Sequence, residues 1–306
     1  MEAKKHRQHH VWQHYLRSWT VGGRIFCLGD GRIFATGTSA IAVETDFYKL
    51  HKLTAADIVL IRTLIIEQAH PIAKRNHEEF LQKLMMPLRF VEHNRTKLSN
   101  IDQIDDYIDT FQTNVLEDYH AHIEAAFIPL LDRALCGDIG FYDNTDTCIS
   151  FLHFLSTQYL RTKGIKNRSI EIVERENGID MRRIWDVISP MFSLNTGCSL
   201  FLERRERKLV LVRNSTDTLF ITGDQPVINL HGGGSPPVTK FTLYYPLSPT
   251  LALFLCEAGE TAPYATDSLT SEDISALNVR MLTACHRHVF GQTEASLLAL
   301  LARSCE

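Results

Sequence analysis

The chain has 306 residues, enough for two domains or one large one at roughly 150 residues each, and enough to bury a core without covalent staples. Its 44% hydrophobic and 22% charged residues exclude a disordered, collagen-like or coiled-coil chain. With 32 Lys+Arg against 36 Asp+Glu, a formal charge of −4, there is no global positive field for nucleic acid or anionic lipid, so any nucleic-acid contact must be a local patch.

Residues 24–28 and 32–35 are β-prone runs around Gly29-Asp30-Gly31, a composition that tolerates positive φ, and they predict a hairpin. From Thr54, with Asp57 three residues on, apolar residues recur at three and four (Ile58, Ile61, Ile65, Ala69, Ile72) and predict one helix to about Leu84. Ile101, Ile104, Ile108, Phe111, Val115 and Tyr119 mark a second long helix that bends at Pro129 and stops at Gly137. Residues 146–161 form a third helix, apolar on most faces, and 181–191 a fourth.

Beyond Asn195 the character changes. Residues 199–202, 208–212, 219–222, 226–230, 241–245 and 251–256 are short β-rich runs broken by Gly, Pro, Asn and Asp, which predicts a mostly antiparallel sheet. Helices over 271–288 and 293–302 follow. The expected class is α+β in a single domain spanning 1–306, with a helical part 54–194 and a β-rich part 195–306 packed on the hairpin region 20–50.

The cysteines, odd in number and without a CxxC pair, suggest reduced thiols in a cytoplasm rather than disulfides or a zinc ribbon. Residues 1–17 start basic without an apolar stretch, unlike a secretory signal. The longest apolar runs are too short or too interrupted to cross a bilayer, so no membrane contact is expected.

The opening carries four of the 14 histidines, His6, His9, His10 and His14, able to ligate a metal or act as a base near neutral pH, or merely to line a solvated segment. His9-His10-Val11, then Tyr15-Leu16-Arg17 and a glycine-turn hairpin, resemble the start of a bacterial family catalogued as domain of unknown function 4238. The resemblance continues through Asp46-Phe47-Tyr48, Ile123-Glu124, Gln158-Tyr159-Leu160-Arg161-Thr162, Thr222-Gly223-Asp224-Gln225-Pro226-Val227 and Tyr245-Pro246-Leu247-Ser248-Pro249. It departs at Trp12, where the family carries Pro, and at Gly223-Asp224-Gln225-Pro226, where it carries Ser-Asp-Asn-Pro. It implies a bacterial origin and candidate positions, with no reaction attached.

Five of these positions are polar groups in apolar contexts: His10, Glu124, Gln158, Arg161 and Asp224. Asp224 follows a β-run and precedes Gln225-Pro226, an address that presents a carboxylate at a strand end; the alternative is a cap on its own turn. Glu124 sits among Ile123, Ala125, Ala126 and Phe127 and needs a partner, for which Arg161, three residues from Gln158, is the natural choice. Glu44, Asp46 and Tyr48, at the exit from the hairpin, could line the same cleft, although Phe47 and Tyr48 read more simply as a packing anchor. Arg204, Arg205, Arg207 and Lys208 read as a solvated turn between strands, the weaker alternative being a local phosphate-contacting patch helped by Arg161, Lys163, Lys166 and Arg168. His231-Gly232-Gly233-Gly234 lacks what a P-loop needs, and His286 and His288 read as surface residues.

If the five converge, the site offers a base (His10), metal ligands (His10, Glu124, Asp224) for Mg²⁺ or Mn²⁺, and an anion clamp (Arg161). The first expectation is a hydrolase acting on a phosphate-containing substrate, nucleotide or nucleic acid, in a setting such as phage defence or a toxin system. The second is a non-enzymatic binding or sensor module for a small anionic ligand. The third is a buried structural network.

Overall fold

The computed structural model describes residues 2–98, 103–232, 240–265 and 269–303. The first strand, β1 (Arg7–His9), runs into a short helix, α1 (Gln13–Leu16). The hairpin follows as β2 (Ile25–Gly29) and β3 (Arg32–Thr36), turning on Asp30 at φ 50° and Gly31 at φ 72°. Strand β4 (Val43–Thr45) then pairs antiparallel with β1, so the histidine-rich opening is an edge ribbon rather than a solvated tail.

Helix α2 (Ala55–Ile61) starts on the expected Thr54–Asp57 capping box but does not reach Leu84. It passes into a π-helical turn over Arg62–Ile66, and α3 (Pro71–His93) begins afresh. Proline at the first position of α3 lacks the N–H a continuous helix would require there, and it disfavours helical backbone in the residue before it. After α4 (Arg95–Leu98), α5 (Ile104–Leu135) runs through Pro129, and the chain leaves it at Gly137, φ 94°. Ile101 lies outside the described residues. The third expected helix is α6 (Thr145–Leu160), capped by the Asn144 side chain.

Helix α7 (Lys163–Asn177) was not signalled by apolar periodicity, and α8 (Trp185–Leu202) overruns the expected 181–191. Residues 199–202, read as a strand, are its last turn. A Cβ on Gly197 would stand 3.3 Å from the backbone of Leu152 and His153, so α8 packs closely along α6, and that contact overrides local β propensity. The basic run at 204–208 therefore joins a helix to a strand.

The β region comprises β5 (Arg207–Arg213), β6 (Thr222–Gly223), β7 (Ile228–Asn229), β8 (Leu243–Ser248) and β9 (Leu251–Glu257). Helix α9 (Ser271–Ala284) is capped by Thr270 with Asp273 and ends before the expected His288. The turn after it delivers β10 (Val289–Gly291), and α10 (Glu294–Arg303) follows. One antiparallel sheet has the order β5-β9-β8-β7 and the other β3-β2-β10-β6, so a strand from late in the chain is inserted between the N-terminal hairpin and β6. This is the α+β class.

Two apolar clusters fill the interior. The larger joins residues 11–28, the C-terminal half of α5, α6, both sheets, α9 and α10; the smaller joins residues 47–66, α3 and the first half of α8. Helix α5 spans both, with Leu116 in the smaller and Ile123 and Phe127 in the larger. Trp12 is buried against Phe127 and Phe154, using its indole as core rather than as site. Among the described residues no helix is long and apolar enough to cross a membrane.

Candidate anion-binding cleft

The start of α7 and the turn before β10 face each other across a cavity of about 290 Å³. His10, Glu44, Lys163, Asp224, His286, Arg287 and His288 line it, with residues 40–43 as one wall. Each side chain is placed by a different constraint.

His10 leaves the β1–β4 ribbon, its N–H donating to the Ala42 carbonyl at 2.9 Å, and its ring packs on Phe47 at 5.4 Å. It is buried, and its Nδ1 has no hydrogen-bond partner. Burial, aided by Arg161 and Lys163, lowers its pKa to about 3, so the ring is neutral at physiological pH.

Asp224 follows β6, whose ladder its own N–H extends to the His288 carbonyl at 3.0 Å. Its carboxylate accepts three backbone N–H groups, from His286 at 2.8 Å, Arg287 at 2.7 Å and His288 at 2.9 Å. Asp224 thus caps the turn that introduces β10, not its own. A carboxyl group fixed by three main-chain donors is part of the framework of the turn.

Lys163 is the first residue of α7. The cap residue Thr162 makes no capping bond because its hydroxyl is engaged by the Gln225 side chain. The α7 N-terminus is therefore uncapped where Lys163 meets the cleft. Lys163 pairs with Glu44, and Arg287 pairs with Asp30 at 2.8 Å.

The other three candidates stand behind this cleft as one chain of contacts. Gln158 donates to the His10 carbonyl at 3.1 Å, Arg161 donates to the Gln158 side-chain oxygen at 3.1 Å, and Arg161 pairs with Glu124 at 2.5 Å. The Arg161 side chain is 2% exposed against 18% for Glu124, so the guanidinium cannot reach a ligand in the cleft without leaving its place. Burial raises the pKa of Glu124 against the pull of Arg161, and raises that of Glu117, two turns earlier on the same face of α5, to about 7. Arg161 Nε, Tyr48 OH, Tyr245 OH and His120 Nδ1 are buried without partners.

The structure therefore brings His10 and Asp224 to one cleft and links His10 to Glu124 only through Gln158 and Arg161. Among the described residues no three His, Cys, Asp or Glu side chains gather to hold a metal ion, and the set His10, Glu124 and Asp224 does not meet at one point. Asp46 pairs with His6 at 2.6 Å instead of reaching the cleft. Of the other lining residues, the sequence offered Lys163 only as part of a weaker phosphate-contacting patch and His286 and His288 only as surface residues, and Arg287 was not singled out.

The family model for proteins of unknown function, DUF4238, matches residues 7–295. The chain belongs to this family. No curated protein and no solved structure matches it. In this DUF4238 chain the stretches that carry the family resemblance touch one another. Gln158 holds the His10 carbonyl, Thr162 and the Tyr159 carbonyl hold Gln225, and the Tyr15 hydroxyl donates to the Pro246 carbonyl at 2.6 Å and accepts from the Thr222 hydroxyl at 2.7 Å. Together they form the seam between the helices and the two four-stranded sheets.

Proposed function

We infer that the cleft binds a small anionic ligand bearing a phosphate or a similar oxyanion. The observation that carries this reading is the uncapped start of α7, which opens with Lys163 onto a cavity also lined by His10, His286, Arg287 and His288. Free N–H groups and the positive end of a 15-residue helix attract an oxyanion, and Lys163 and Arg287 supply charge. His10 adds a neutral, directional hydrogen-bonding ring with an unused nitrogen. Asp224, saturated by main-chain donors, repels less than a free carboxylate would. The ligand competes with Glu44 for Lys163.

Hydrolysis of a phosphate-containing substrate, nucleotide or nucleic acid, is the second reading, favoured by three imidazoles on one cleft. His10, with depressed basicity, would orient an attacking water, and exposed His286 would protonate the leaving group. Both candidate carboxylates are committed to protein partners, so no step is routed through a divalent ion, and Mg²⁺ and Mn²⁺ enter as arms of the assay. A defence or toxin role belongs to this reading alone.

Calorimetric titration with inorganic phosphate and a nucleoside monophosphate tests the first reading. Saturable binding is expected, weakened about tenfold or more by Lys163→Ala. At about 100 times the dissociation constant, ligand should add about 2.7 kcal/mol of stability. No binding at about 1 mM of either ligand overturns the reading. Product from RNA, DNA or nucleotides, with or without metal, establishes the second.

A further inference from the structure

Resting on the cleft reading above, we propose that the ligand is longer than one phosphate group. A second cavity lies on the other side of Gly164, close enough that the protein takes a short single-stranded oligonucleotide laid across both, with one phosphate at the start of α7 and the next nucleotide beside Tyr159. The second cavity, of about 260 Å³, is lined by Tyr159, Ile165, Arg168, Ile228, Leu230 and Arg280, among others.

The two cavities are brought side by side by a glycine against which a residue of each packs closely. A Cβ on Gly164 would stand 3.2 Å from both Arg168 Nη1 and His286 Cβ. Arg168 lines the second cavity and His286 the first, so the two meet at this glycine. Either volume alone sits at or below the lower end of the roughly 300–1,000 Å³ usual for ligand pockets, whereas the two together fall within it.

The chemistry of the second cavity differs from that of the first. Arg168 and Arg280 are exposed and, among the described residues, neither has a carboxylate partner, whereas Lys163 and Arg287 in the first cleft are both paired. Two unpaired guanidinium forks suit phosphodiester oxygens, which they contact bidentately. Tyr159 and the floor of Ile165, Ile228 and Leu230 suit the face of a base, which an inorganic anion would leave uncovered. The formal charge of −4 confines this recognition to a few nucleotides rather than a broad duplex surface.

The test titrates the protein with inorganic phosphate, a nucleoside monophosphate, pyrophosphate and a single strand of about four nucleotides. Phosphate affinity reads the first cleft, and the ratio of oligonucleotide to phosphate affinity reads the second cavity. The oligonucleotide should bind about tenfold or more tighter than the monophosphate, and the double variant Arg168→Ala/Arg280→Ala should remove that advantage. The double variant should also lower the slope of log affinity against log salt by about 1.4, two contacts at roughly 0.7 each. An oligonucleotide that binds no tighter than the monophosphate, while phosphate still binds, overturns the extension and leaves the cleft reading standing. Failure of the wild-type protein to bind any of the four overturns both. Pyrophosphate that matches the oligonucleotide through the same two arginines assigns the groove to polyphosphates and overturns the nucleic-acid assignment.

Discussion

Two acidic side chains, Glu124 in the helical region and Asp224 in the sheet region, are both largely removed from bulk solvent, and they are held by different means. Glu124 depends on one guanidinium from a neighbouring helix, whereas Asp224 depends on three main-chain donors of a turn. A side-chain pair fails when either partner changes, because the survivor is stranded in a low-dielectric interior. A backbone cradle fails only when the carboxylate itself is removed. The helical region thus rests on partner identity and the sheet region on topology.

Breaking the pair should have the largest effect. Arg161→Leu leaves Glu124 unpaired and is expected to cost about 3–5 kcal/mol in urea unfolding, while Arg161→Leu/Glu124→Leu recovers most of it. A cost under about 1 kcal/mol for the single variant would erase the distinction between the two regions. Asp224→Ala strands three N–H groups, but His286 and Arg287 lie on an exposed turn that water can reach, so the expected loss is smaller, about 2–3 kcal/mol. Asp224→Asn keeps one acceptor oxygen and should fall between alanine and wild type. A wild-type midpoint for Asp224→Asn would return the residue to the catalytic role first considered for it.

The pH dependence sharpens the comparison further. Burial holds His10 and His120 neutral, with His10 lowered to about 3, so between about pH 6.5 and 3 the unfolded chain binds protons that the folded one refuses. Their contribution is present above pH 6.5 and is lost as pH falls. Glu117 works oppositely: raised to about 7 by burial, it favours the fold at low pH, a contribution lost as pH rises from about 4.5 to 7. Urea midpoints across this range should show a flatter acid limb for His120→Phe and a flatter slope near neutrality for Glu117→Gln. Smallest of all, Asp30→Asn, which keeps a residue suited to φ 50°, removes only the charge of the exposed pair with Arg287 and should leave the thermal midpoint unchanged.

What the sequence disclosed follows the same division. The Gly29-Asp30-Gly31 hairpin, the capping box at Thr54 and the long periodicity of α5 are local signals, and each stands in the fold. So is the three-residue spacing of Gln158 and Arg161, which pointed to Glu124 as their partner. The turn held by Asp224 had no such signature, because its donors are peptide N–H groups that every residue carries. Strands β1 and β10, of three residues each, are defined by what they pair with, and α7, rich in charge, is a helix that only its neighbours complete. The cleft escaped notice for the same reason, being assembled from a helix start and a turn rather than from a motif.

Strand β10, lying between β2 and β6, also orders events in time. The hairpin is made early on the ribosome, yet its inner edge stays unsatisfied until residues near 290 emerge, a long-range closure of the kind that slows folding. His286, Arg287 and His288 lie just before that strand. A nascent chain or fragment that stops short of them therefore lacks one wall of the cleft.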